Sequence, residues 1–149
     1  MYEIDLSTLI LIGLNENSTK IITVDKDLVI NSSCKKIVDN SCKYFGSSLV
    51  DRIKMTTRLV KFNSKTPILI EESRNIIFFP LRSTRENNNI WISFNNLDKY
   101  IKNGSKTILI FKNSREITVD FSYYIVDNQV TRCIILDYEL NNRRKNLKN

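Results

Sequence analysis

The chain has 149 residues, 42% of them hydrophobic and 26% charged, with three glycines and two prolines. That length fits one domain with a real core, and the composition excludes a disordered or fibrous chain. The formal charge is +7 and unevenly spread: residues 1–30 carry two cations against five acids, residues 31–85 eleven against four, and residues 86–149 ten against seven. A basic middle suits a polyanionic partner, nucleic acid before an anionic membrane. The plain alternative is a solvated cationic surface in a composition rich in Lys, Asn and Ile and devoid of Ala.

The chain has no histidine. That excludes a His-based triad, a His general base and the common catalytic zinc sites. Cys34, Cys42 and Cys133 form no CxxC pair and read as buried free thiols, which implies a reducing cytosol. Gly13, Gly46 and Gly104 stand in no nucleotide-binding loop, and Glu71–Glu72 reads as a solvated turn. The expectation is therefore a protein without enzymatic activity, metal or cofactor. No basic segment precedes the first apolar run, which argues against a signal peptide. That run, Leu9 to Ile12, is too short to span a bilayer, so no membrane partner is expected.

In chain order, Thr8–Leu14, Thr19–Val24 and Leu28–Asn31 read as three short strands joined by the turns Asn15–Ser18 and Asp25–Asp27. Ser32 or Ser33 caps a helix whose apolar face is Cys34, Ile37, Val38, Ser41, Cys42 and Phe45. Gly46 ends it, and Ser47 or Ser48 caps a second helix with Leu49, Ile53 and Thr56 inward and Arg52 outside that stripe. Alternation from Thr57 to Phe62 predicts a change to strand. A single linking glycine is shorter than a helix-turn-helix connection, which argues against that motif. Ile68–Ile70 and Ile76–Phe79 predict a buried hairpin, followed by the polar loop Leu81–Asn89 and a strand at Ile90–Phe94. Asn95–Ile101 reads as one or two helical turns. Lys106–Phe111 and Glu116–Phe121 predict another hairpin, and Ser122–Leu140 a last helix. The expected architecture is a single α+β domain, antiparallel β-hairpins packed with about three α-helices, over residues 1–141, with residues 142–149 a basic, flexible tail.

Two stretches suit a phosphate backbone. One runs from Cys42 to Arg58, with Lys43, Arg52, Lys54 and Arg58 as cations and Gly46, Ser47 and Ser48 as a junction where backbone and hydroxyls approach closely. The other holds Arg82, Ser83, Thr84 and Arg85. Arginine also suits a narrow A·T-rich minor groove. Against this, Gly46–Ser48 taken alone reads better as a helix stop followed by a cap, and Ser83–Arg85 also fits a loop with local hydrogen bonds. The aromatics Tyr44, Phe45, Phe78, Phe79 and Trp91 could stack on bases, but they sit in apolar runs, and core is the better reading for Phe45, Phe79 and Trp91. Arg52→Ala and Arg85→Ala are both expected to weaken DNA binding without unfolding the domain.

In combination, IVDNSCKYFGSS (Ile37–Ser48), KTPILIEESRNIIFFP (Lys65–Pro80), STRENNNIWIS (Ser83–Ser93) and NQVTR (Asn128–Arg132) resemble the ComK family, competence transcription factors of low-GC Gram-positive bacteria. The resemblance runs from about residue 5 to residue 141. It implies a cytoplasmic, double-stranded DNA-binding transcriptional activator of DNA-uptake genes. It further implies A·T-rich promoter boxes read largely through the minor groove, a homo-oligomer (dimer or tetramer) on DNA, contact with RNA polymerase, and no cofactor. The stretch DRIKMTTRLVKFNSK is more basic than the family suggests, and the chain ends in RRKNLKN in place of a longer tail used for regulated proteolysis. A carboxylate–magnesium nuclease and a single-strand nucleic-acid-binding module are the competing readings from other classes.

Overall fold

A computed structural model describes residues 1–148, which form three helices and nine strands. The strands are β1 (Thr8–Asn15), β2 (Ser18–Thr23), β3 (Asp27–Ile30), β4 (Ile68–Glu71), β5 (Ile76–Pro80), β6 (Ile90–Ser93), β7 (Leu97–Asn103), β8 (Lys106–Phe111) and β9 (Glu116–Val119). The helices are α1 (Cys34–Tyr44), α2 (Leu49–Val60) and α3 (Tyr123–Lys148). The α+β architecture read from the sequence holds. Six strands make one antiparallel sheet in the order β3-β2-β1-β6-β5-β4, and β7-β8-β9 make a second.

The large sheet is buried on both faces, which is why its central strands read as unbroken apolar runs. Along β5, Ile76 and Phe78 point to one core and Ile77 and Phe79 to the other. The first core sits under α1 and the start of α2, where Leu11, Ile21, Phe78 and Trp91 meet Cys34, Ile37, Val38, Cys42 and Leu49. The second lies under α3 and the small sheet, where Ile10, Phe79 and Ile92 meet Leu109, Phe111, Val126, Cys133 and Leu136. The molecule is thus a sheet between a helix pair on one side and a helix with a small sheet on the other.

Local chemistry sets the helix ends. Ser33 caps α1 by accepting from Lys36 N, and Ser48 caps α2 by accepting from Asp51 N. At the end of α1, Gly46 N donates to Lys43 O and Ser47 N to Cys42 O, with Gly46 at φ +90°. That is a Schellman stop with glycine at its left-handed position. The connection runs over four residues, Phe45 to Ser48, so its length is no bar to a helix-turn-helix.

Four sequence expectations are corrected. Residues 57–60 stay helical, because Met55 and Leu59, four apart, pack together on the α3 side of the sheet, and Lys61 closes α2 at φ +58°. Asn95–Ile101 is not helical. Leu97 and Tyr100 share one face because a bulge at Asp98 shifts the β7–β8 register, which imitates helical spacing. The last helix continues past Leu140 through Lys148, so residues 142–148 of the basic tail extend α3, while Asn149 lies outside the described residues. Arg52 is not outside the α2 stripe: it is 4% exposed and lies on the buried face with Leu49 and Thr56.

Candidate nucleic-acid interface

The two stretches singled out in the sequence lie at opposite ends of α1. Its first residue meets the loop 81–89, where Cys34 Sγ donates to Asn87 O at 3.3 Å. Its last turn leads into the α1–α2 junction, beside the turn between β4 and β5: Phe45, Gly46 and Ser47 share a cavity with Arg52, Glu71, Glu72 and Ser73. Eleven residues of α-helix separate the ends by about 16 Å.

At the junction end Lys43, Arg52 and Arg74 are already matched by carboxylates. Lys43 pairs with Asp39 at 3.0 Å. Arg52 Nη1 donates to Glu72 Oε1 at 2.9 Å, and its buried Nε has no partner. Asp39 also accepts from Leu49 N, and this bond together with Lys43 holds its carboxyl below the usual range despite some burial. Glu71 is not a solvated turn residue. It is buried and accepts from the Ser73 hydroxyl and from the amides of Ser73 and Arg74, which ties the β4–β5 turn. Lys54 and Arg58 are exposed on the outer side of α2. Arg52, expected to meet phosphate, is buried and joins α2 to that turn through Glu72. Arg52→Ala is therefore expected to lower folding stability by about 2–4 kcal/mol through lost burial. The salt dependence of DNA binding should stay unchanged. A chemical melt and a salt titration of the variant check both.

At the other end the loop 81–89 is built around one buried side chain. Asn89 Oδ1 accepts from Arg82 N (2.9 Å) and Ile90 N (2.8 Å), and its Nδ2 donates to Arg82 O (3.2 Å) and Ser83 O (2.9 Å). Gly13 N donates to Asn89 O at 2.8 Å. A Cβ on Gly13 would stand 2.1 Å from Asn87 O, so only glycine lets β1 approach this loop. With its backbone fixed, the loop turns Arg82 and Arg85 outward and leaves Ser83 and Thr84 half-buried.

Helix α3 adds further cations to this end. Gln129, 1% exposed, donates from Nε2 to Lys65 O (2.8 Å) and Pro80 O (2.6 Å), and so clamps the segment before β4 to the last residue of β5. Arg132 Nη1 donates to Ser64 O at 2.6 Å, and its guanidinium stands 4.9 Å from the Phe62 ring. Arg82 stacks over Phe121 at 4.9 Å, just before α3. Helix α2 ends two residues before Phe62, whose ring lies against Arg132, so Arg58 and Lys61 lead into the same end. Lys61 and Lys65 hold φ of +58° and +49°, which is uncommon for lysine and marks a segment fixed by its surroundings.

Arg58, Lys61, Lys65, Arg82, Arg85 and Arg132 thus gather at one end, and among the described residues none has a carboxylate within 4 Å. Lys61, Lys65 and Arg132 were missed as site residues in the sequence. Their only signal there was the basic run from Arg52 to Lys65 and the NQVTR motif. The contrast is in ion pairing: among the described residues, Lys43, Arg52 and Arg74 at the junction end each pair with a carboxylate, although Arg143 and Arg144 of α3 reach that end without one, and the loop-end cations pair with none. Phe78, Phe79 and Trp91 are fully buried and Phe45 is half-buried, which leaves only Tyr44 of that aromatic set exposed. Burial raises the Cys34 thiol, pushes Cys42 up to about 12 and Cys133 well up, so all three stay protonated thiols at neutral pH. Among the described residues no cluster of His, Cys, Asp or Glu could hold a metal ion, and no helix is long and apolar enough to cross a membrane.

The family model described as ComK protein matches residues 1–145. The competence transcription factor of Bacillus subtilis (strain 168) is 32% identical over 115 residues, which is 76% of this chain. That stretch is 60% of the relative's own length. No solved structure matches the chain.

Proposed function

This chain belongs to the ComK family, and from that premise we propose that it is a sequence-selective double-stranded DNA-binding activator of competence genes. The observation that carries the reading is the uncompensated cation cluster Arg58, Lys61, Lys65, Arg82, Arg85 and Arg132 on a clamped backbone. Phosphate contacts supply most of the affinity of such a surface, and they need cations not already paired. Arg82 and Arg85, with Ser83 and Thr84 between them, enter the minor groove of an A·T-rich box, where the negative potential favours guanidinium. Lys43 and the Gly46–Ser48 junction fall outside this primary footprint. Lys54 extends it along α2. The nuclease reading loses its acids, because Glu71 and Glu72 are spent on Ser73, Arg74 and Arg52.

The active species on paired boxes is a homo-oligomer that recruits RNA polymerase. Helix α3 carries apolar residues on both faces, and its outer stripe of Ile134, Ile135 and Tyr138 is exposed. An antiparallel repeat about Ile134–Ile135 sets Tyr124 of one copy across from Lys145 of the other, so the stripe complements itself. The test is a footprint on an A·T-rich promoter, with competing single-stranded DNA and a minor-groove ligand. The expected result is protection of two spaced boxes, lost to the ligand and insensitive to the single strand. Preferential displacement by the single strand would overturn the duplex assignment.

A further inference from the structure

The β7–β8 hairpin projects from the same end of the molecule as the cation cluster. Tyr100 Oη donates to Asp127 at 2.6 Å, and two residues further along β7, Lys102 Nζ stands 5.7 Å over the ring of Tyr124. The strand therefore advances toward the first turn of α3 and continues past it. Tyr124 lines the same surface cavity as Ser64, Lys65 and Arg132, so the hairpin stem borders the cluster directly. Beyond this point Ile101 to Lys106 are all exposed. At about 3.3 Å per residue, Gly104 stands roughly 7 Å past Lys102.

The tip reads Lys102-Asn103-Gly104-Ser105-Lys106. Asn103 pairs with Lys106, which leaves a two-residue turn with φ +61° at Gly104 and no positive φ at Ser105. That is the type II′ pattern, which matches strand twist and stiffens the hairpin. The tip offers two cations, an amide and a hydroxyl, with no acid among them. The acid next in register, Asp120, lies across from Lys106 beyond the last β8–β9 pair and makes no ion pair with it. Exposed cations on a rigid, acid-free projection cover no core and brace no neighbour beyond the Lys102–Tyr124 contact.

We propose that the Lys102–Lys106 tip is a second DNA-contacting arm, which takes phosphates of the same duplex to one side of the loop-end contacts. It rests on the duplex-binding reading above and extends it to an element on a different sheet. The test uses the full chain in three forms, wild type, Arg85→Ala and the double variant Lys102→Gln/Lys106→Gln, each titrated against A·T-rich duplex across salt and footprinted. The double variant is expected to melt as the wild type does, to flatten the log–log salt slope by about two, and to lose protection at one margin of the footprint while keeping its centre. If Arg85→Ala weakens binding while the double variant keeps the wild-type slope and footprint, the arm is refuted and the duplex reading stands. If the wild type does not bind the duplex, both fall.

Discussion

Asn89→Ala is expected to lower folding stability by about 3–5 kcal/mol, the largest single-site loss foreseen outside the apolar core. The side chain is fully buried and makes four hydrogen bonds, two accepted and two donated, all to backbone between Arg82 and Ile90. Alanine would strand two amides and two carbonyls, each an unmet polar group at the end of the sheet's central strands. Asn89→Asp keeps the acceptor half but turns a carboxylate oxygen toward the Arg82 and Ser83 carbonyls in a buried site, so its loss should be at least as large. Urea melts of the three proteins give the order directly. DNA affinity per folded molecule should fall as well, because Arg82 and Arg85 are aimed by this clamp. An alanine variant within about 0.5 kcal/mol of wild type would mean that the loop is held by something else.

The double variant Arg82→Ala/Arg85→Ala is expected to lose about 2–4 kcal/mol of duplex affinity, thirtyfold to a thousandfold, with folding stability little changed. Both side chains are exposed, and neither has a carboxylate partner within 4 Å. Removing them strands no acid. Arg82 gives up only its stacking on Phe121, a contact of about 0.5–1 kcal/mol at an exposed site. Anisotropy titrations with an A·T-rich duplex and a G·C-rich control separate groove reading from plain charge. If the two arginines enter the minor groove, the loss is larger on the A·T-rich duplex. An equal loss on both duplexes would confine them to phosphate.

Much of the scaffold was legible because its signals are local. The hairpins of the large sheet announce themselves by β-branched runs between turn clusters, and Ser33, Gly46 and Ser48 sit where caps and stops require them. The errors share one cause, a partner far away in sequence. Arg52 falls on the inner stripe of α2, three after Leu49 and four before Thr56, but its charge argues for solvent until Glu72, 20 residues on, is known to meet it. The spacing of Leu97 and Tyr100 fits a helix until the bulge and β8 are known. The site was half legible for the same reason. Arg82 and Arg85 stand out in a polar loop, whereas Lys65 and Arg132 join them only because Gln129 reaches back 64 residues to Lys65 and 49 to Pro80. No local pattern records that closure, and the charge of residues 31–85 could not say which end of α1 faces the polyanion.

On the proposed reading, the loop end and not the α1–α2 junction meets the phosphate backbone. The most direct test compares the salt slope of duplex binding for Arg82→Ala/Arg85→Ala with that for Lys43→Ala. Loss of the loop pair should flatten the slope by up to about two, and loss of Lys43, already matched by Asp39, should leave it unchanged. A slope flattened by Lys43→Ala and untouched by the loop pair would place the interface at the junction and contradict the account.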